Sequence, residues 1–351
     1  MAKRRPLFSV TPALAALLIA PLLAAGVASP AIACACGAFA PPTDASGPVS
    51  LQREVAILSL KDGVEQMDMR LSLDTINANL GLIVPTPTPA TVSLGVETLF
   101  DNVDTEMTPK IDRMDDWWTW PTDGLLGASG GAPGAPAPPE VIATVQLGPI
   151  QATTLEATDA EGLTAWLTAN GYGLPESVTA LLPHYIDRGW SFVALKLTGE
   201  TPLDGKLDPL RFQFETATLT YPLALSKAAT TPQYVSLFIF SDHREEVRFA
   251  DGSEIPDADT TWARTVRNTS LTSLGTYLTA ITLTFGNPSQ RILDDLTFVR
   301  APADEEVGTH VTQVTYIRVA GVPVGWGLVG LAVFVMFLVI VFMLIPRRAR
   351  R

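Results

Sequence analysis

From Val324 to Ile345 the chain carries 22 consecutive residues without a charge, nearly all apolar, inside a longer uncharged stretch between Arg318 and Arg347. As a helix rising about 1.5 Å per residue, that tract is roughly 33 Å long, enough to cross a hydrocarbon layer of about 30 Å. A core helix of a water-soluble domain would be shorter and would show a polar face. The tract therefore reads as a transmembrane segment. Trp326 sits where an interfacial aromatic belongs, and Arg347, Arg348, Arg350 and Arg351 supply a positive flank that assigns the tail to the cytoplasm. Gly321 and Gly325 have small-xxx-small spacing, next to Pro323 at the membrane surface.

The other end reads as a secretory signal: Lys3, Arg4 and Arg5, then an apolar stretch from Leu14 to Val27, then Ala31-Ile32-Ala33 as a small-x-small cleavage site. The stretch from Arg4 to Phe8 also has some twin-arginine character. The sequence thus divides into a signal over 1–33, an extracytoplasmic part over 34–318, a membrane segment over 319–346 and a basic tail over 347–351. With both ends set aside, 17 Lys and Arg face all 36 Asp and Glu, a net of −19 for the external part. That surface excludes nucleic acid as a partner, which needs a basic stripe. It also disfavours docking onto anionic lipid.

Within the external part the apolar pattern is mostly of period two. Leu51 to Leu60 and Val64 to Leu73 flank Lys-Asp-Gly as a hairpin. The prolines of "LIVPTPTP" mark an extended edge or loop. Val96, Leu99, Phe100, Val103 and Met107 recur at helical spacing until Pro109. Thr158 with Glu161 forms a capping box for a helix ending at Gly171, and a second helix, bent by Pro183, runs from Pro175 toward Gly189. Further strands read at 141–147, 190–197, 210–215, 217–224, 234–240, 277–285 and 311–317, with a short helix ending at Leu293. Residues 127–139, Gly/Pro/Ala-rich, read as a flexible insertion. The expected class is α+β: a mostly antiparallel ectodomain with about four helices, including a helical hairpin, plus one C-terminal transmembrane helix.

Together "CGAFAP", "LIVPTPTPATVSLGVETLFDNVDTEMTPKI", the Trp pair before the insertion, "YPLALSK", "FSDHREE" and "TYLTAITLTF" resemble the bacterial DUF2330 family, secreted or membrane-anchored proteins of unknown function. The resemblance implies a similar architecture outside the cytoplasm. The family carries no assigned catalytic residues, so none transfers.

Candidate sites each carry two readings. Cys34 and Cys36, in C-x-C spacing without a following helix, lack the C-x-x-C redox arrangement. They are open to a local disulfide or intermolecular bond, lipidation of Cys34, or thiol and copper handling; the segment has no His or Met to complete a closed metal site. Trp117, Trp118 and Trp120 either form a binding platform for an envelope protein or glycan, or pack over an open sheet face. Asp112, Asp115 and Asp116 lack calcium-loop spacing, and Asn268 opens a glycosylation sequon. His243 shares a strand face with Glu245, and alternation turns it away from Asp242. His184 packs or caps within the bent helix and His310 lies near the membrane. With no nucleophile at motif spacing, the sequence assigns no catalytic residue, no metal and no cofactor. It predicts a binding or structural module at the cell envelope, with an enzyme assembled only in the fold as the rival.

Overall fold

The structure is a computed structural model that describes residues 33–34, 36–42, 49–118, 140–147, 150–157, 159–199, 202–203, 205–319 and 322–344. The expected signal region, Trp120, Thr158, the insertion at 127–139 and the basic tail lie outside the described residues.

In chain order the elements begin with β1 (Ala33–Cys34), β2 (Gly37–Ala40), β3 (Val49–Lys61), β4 (Val64–Thr75), β5 (Asn79–Thr86) and β6 (Thr91–Leu94). Helix α1 (Glu97–Glu106) follows, then β7 (Lys110–Asp116), β8 (Glu140–Leu147), β9 (Ile150–Glu156) and the helices α2 (Ala160–Ala169), α3 (Glu176–Thr179) and α4 (Pro183–Ile186). Next come β10 (Ser191–Thr198), β11 (Gly205–Lys206), β12 (Leu210–Glu215), β13 (Thr220–Tyr221), a 3-10 turn at Ala224–Ala228, β14 (Gln233–Ser241) and β15 (Glu245–Phe249). The chain closes with β16 (Ala258–Thr265), β17 (Tyr277–Phe285), α5 (Pro288–Arg291), β18 (Leu296–Arg300), β19 (His310–Tyr316), β20 (Arg318–Val319), β21 (Val322–Pro323) and α6 (Val324–Leu344).

Two sheets share one interior. A six-stranded sheet runs β1-β2-β5-β10-β9-β8 and an eight-stranded one β16-β17-β14-β3-β4-β12-β6, with β11 on β4. Most pairs are antiparallel, but β3 and β14 run parallel, so the large sheet is mixed. Alternation sorts the side chains: Leu80, Leu82, Val193 and Leu195 from one sheet meet Leu58, Met67, Leu237 and Ile281 from the other. In β3 a bulge between Leu51 and Arg53 shifts the alternation by one, so Val49 and Leu51, then Ala56 and Leu58, all face this interior.

The opposite faces are covered as well. Val55, Ile57 and Phe240 turn outward to Phe100 and Val103 of α1, each of which is worth about 1.5–3 kcal/mol when fully buried. Ile83, Phe192 and Ala194 turn outward to Leu163, Leu167 and Tyr185 of the α2–α4 layer. The result is four layers, helix on sheet on sheet on helix, and the doubly covered central strands are apolar on both faces for that reason.

Several boundaries differ from the sequence reading. The proline-bearing stretch is an inner strand, β5, because β2 pairs only Gly81 to Ile83 and leaves Pro85 beyond its end, where no neighbour on that side needs a donor. The bent helix resolves into α3 and α4, since Pro183 occupies a first-turn position where its missing N–H costs nothing. Helix α2 is capped by Asp159, whose side chain accepts from the Gly162 N–H. The stretch read as a strand over 217–224 keeps only β13 before the 3-10 turn.

Two strands leave the sandwich. β7 and β19 form a parallel ribbon, Lys110 opposite His310 through Asp116 opposite Tyr316, and β19 continues through the small β20–β21 hairpin into α6. Ile111 and Met114 are exposed on this ribbon. Among the described residues α6 is the one helix long and apolar enough to cross a membrane, by length and composition, and its 20 residues Val324–Met343 are not buried against the rest of the chain.

Candidate functional site

A cleft of about 560 Å³ opens at the end of the sandwich where β14 hands over to β15. Apolar Leu60, Leu219, Phe240 and Phe298 line it together with polar Ser241, Asp242, His243 and Glu245. The link between the two strands is a tight bend. The Ser241 hydroxyl donates to the His243 carbonyl and accepts from the His243 N–H at 3.2 Å, a local bond typical of Ser in turns.

This bend corrects the face argument made from the sequence. Asp242 and His243 lie between strands, so strict alternation does not apply, and His243 Nδ1 bonds the Asp242 carboxylate. The far ring nitrogen, Nε2, lies 3.2 Å from Glu245 Oε1. An imidazole donates to both carboxylates at once only with a proton on each nitrogen. The hydrogen bond from His243 holds Asp242 below the usual carboxylate range. Burial pushes Glu245 up, against the opposing pull of His243. Glu245 Oε2 is buried and has no hydrogen-bond partner among the described residues.

The Ser241 hydroxyl bonds within its own bend and also pulls on the Glu245 carboxyl, and both His243 nitrogens face carboxylates. Lys61 and Arg300 add positive charge to the lining. Arg300 stands directly opposite Glu245 in the β15–β18 ladder, yet its guanidinium turns to Asp304 at 3.2 Å.

A second cluster surrounds Asp295, whose carboxylate accepts from Tyr185 Oη, from the main-chain N–H of Leu223 at 2.8 Å and Ala224 at 2.9 Å, and from Arg188 at 3.1 Å. His184 Nε2 lies 3.0 Å from Asp294 and 3.1 Å from Asp295. Burial pushes Asp295 up, but the hydrogen bonds from His184, Tyr185, Ala224 and Leu223 outweigh it and hold the group below its ordinary value. Burial and the neighbouring Asp295 drive Tyr185 well above the usual phenol range. One nitrogen and two carboxylate oxygens here lie within 4.8 Å of one another, a spacing a metal could use. Arg188 already donates to both carboxylates, at 3.0 and 3.1 Å, and supplies the charge a cation would bring. The cluster is a clasp that ties α4 to the α5–β18 link and the 3-10 turn.

Trp117 and Trp118 end β7 against the first turn of α6. Gly325 N–H donates to the Trp117 carbonyl at 2.8 Å, and Trp326 Nε1 donates to the Trp118 carbonyl at 3.1 Å. The indoles of Trp118 and Trp326 meet edge to face with centroids 6.1 Å apart. A Cβ at Gly325 would fall 2.5 Å from the Trp118 ring, so this glycine is used within the chain instead of standing open for a helix partner. Trp117 and Trp118 remain 42% and 53% exposed.

Cys36 is wholly buried in the sandwich interior, its Sγ 2.8 Å from Met69 Sδ; the Cys34 side chain lies outside the described residues. His310 bonds Asp112 across the exposed ribbon at 2.6 Å. Asn268 packs toward α1, its amide 3.3 Å from Asn102. Two buried glutamates in the interior had no sequence signal: Glu54 accepts from the Tyr221 hydroxyl, and Glu65 accepts from the Thr220 N–H at 3.0 Å.

A comparison with curated protein sequences finds no match. Among solved structures, the crystal structure of baculovirus P35 is similar at a TM-score of 0.35 and 8% identity, covering 74% of this chain and 95% of that one. A likeness at that level carries no argument about fold or function. Residues 30–299 match the family described as "Uncharacterized protein conserved in bacteria (DUF2330)", and the chain belongs to that family.

Proposed function

We propose that this chain is a single-pass, membrane-anchored extracytoplasmic protein whose acidic ectodomain works by binding or by structural association at the cell envelope. One observation carries the reading: the β7–β19 ribbon leads through the β20–β21 hairpin into α6, and Trp117, Trp118 and Trp326 gather at the junction. Amphipathic indoles concentrate at the headgroup level of a bilayer, and here they sit between a polar ribbon and a 21-residue apolar helix. The ribbon then acts as a short stalk, with the C-terminal arginines on the cytoplasmic side. On this reading the tryptophans are the bilayer contact, and the ligand-facing surface is the cleft at the β14–β15 bend. The rival, an envelope enzyme, draws on the His243–Glu245 pair, but the engaged Ser241 hydroxyl argues for binding over acyl transfer.

The test is retention in membranes washed with alkaline carbonate. The intact chain stays with the membrane. A Val333→Arg, Val339→Arg double variant, each charge costing about 2.5–3.5 kcal/mol in a bilayer centre, shifts to the soluble fraction. Equal retention of both would contradict the anchor.

A further inference from the structure

The cleft at the β14–β15 bend is lined by a buried carboxyl, Glu245, on which only His243 and Ser241 are seen to act with hydrogen bonds among the described residues. Glu245 is 7% exposed, its Oε1 is engaged by His243, and its Oε2 is buried without a partner among the described residues. Buried acceptors of this kind are rare in native structures, and a site where a ligand brings the missing donor is one setting that keeps them. Glu245 lines the cleft, and a donor from the cleft reaches Oε2 once the side chain shifts enough to uncover it.

The same cleft carries cations. Lys61, on the β3–β4 turn, reaches only the Ser273 carbonyl, at 3.5 Å, and makes no ion pair among the described residues. The Arg300 side chain is 62% exposed, with its guanidinium turned toward Asp304. Asp242 is 82% exposed beside the His243 ring. A ligand that is only anionic meets Glu245 and Asp242, and one that is only cationic meets Lys61 and Arg300. A molecule bearing both charges satisfies each group. The volume of about 560 Å³ falls within the range of pockets for small organic ligands and exceeds what one amino acid fills.

We propose that this cleft binds a small zwitterion of di- or tripeptide size, its ammonium received by Glu245 and Asp242 and its carboxylate by Lys61 and Arg300. Charge-assisted hydrogen bonds of this kind are about twice as strong as neutral ones. The apolar floor of Leu60, Leu219, Phe240 and Phe298 takes the side chains. The proposal rests on the reading of the ectodomain as a binding module and is independent of the membrane anchor.

Calorimetric titration of the full chain in lipid nanodiscs tests it, with alanylalanine, its N-acetyl form and its C-terminal amide as probes. Alanylalanine binds, and each blocked form binds at least about tenfold more weakly. Glu245→Gln removes the preference for a free amine while keeping the preference for a free carboxylate. Lys61→Met, a change on an exposed turn that leaves the core untouched, does the reverse. Blocked and free peptides binding equally, or no heat from alanylalanine in the millimolar range while both variants melt as the parent does, would overturn it. Membrane retention of the same preparation reads the anchor separately, so failure of one leaves the other standing.

Discussion

Trp326 on the first turn of the apolar helix donates its indole N–H to the main-chain carbonyl of Trp118, 208 residues earlier in the chain. The contact locks the end of the β7–β19 ribbon to the helix, and Gly325 makes it possible by leaving room for the Trp118 ring. Gly325→Leu therefore pushes a side chain into that ring, an overpacking that costs about 1–3 kcal/mol locally. The expected result is faster proteolytic cutting of the ribbon with the melting of the sandwich unchanged, read by timed proteolysis and gel.

Asp295 collects donors from two segments, 184–188 and 223–224, and both lose this acceptor together in Asp295→Ala. The Tyr185 hydroxyl loses its acceptor and the Leu223 N–H is left buried and unpaired, while the Ala224 N–H keeps only the Tyr185 oxygen, so the variant loses about 3–5 kcal/mol in urea unfolding. Asp294→Ala, which removes a partner of Arg188 nearer the surface, costs about 1 kcal/mol or less.

Two buried carboxyl groups also set opposite pH dependences. Asp295 titrates below its unfolded value, so its contribution is present above about pH 4 and is lost as pH falls through the folded value. Glu65 is the reverse: burial raises its pKa well above the unfolded value of about 4.3, so it favours the fold at low pH and weakens it as pH rises. Glu65→Gln keeps an acceptor for the Thr220 N–H and removes the titration. Its stability relative to the parent increases between pH 4 and 8, measured by urea unfolding at each pH.

Cys36 packs against Met69 inside the sandwich, where a reagent or metal has no path without opening the core. Cys36→Ser places a hydroxyl in that apolar setting and costs about 1–3 kcal/mol. A thiol or copper-handling role for Cys36 instead requires stability to stay the same while activity is lost, so one thermal melt separates the two readings.

Much of the fold was legible where local chemistry decides it. Asp62 and Gly63, with φ of 53° and 79°, make the type I′ turn that Asp-Gly between alternating apolar runs announces. Helix α1 follows its Phe100 and Val103 spacing, and α6 follows its unbroken apolarity. What escaped was decided at long range. β7 reads Lys-Ile-Asp-Arg-Met-Asp-Asp, with no apolar alternation, and exists because β19, some 200 residues on, lies beside it. β15 and β16 were missed for similar reasons, one short and charged, the other bulged between Thr260 and Trp262. At the candidate site, reading Asp242 and His243 as strand residues placed them on opposite faces. The Ser-Asp pair ending β14 was the available signal, since both residues favour turns. No local pattern could announce the Asp295 clasp or the unpartnered Glu245 oxygen, because their surroundings come from elements far apart in sequence.

The central claim is that α6 crosses a bilayer and leaves the sandwich outside the cytosol. The most direct measurement is protease digestion of intact, wall-stripped cells carrying the chain with an epitope on the cytoplasmic tail. The account predicts that added protease cuts the β7–β19 ribbon and releases the folded body while a short tagged fragment stays in the membrane, protected until the cells are lysed. A tag removed from intact cells with the body left whole would contradict it.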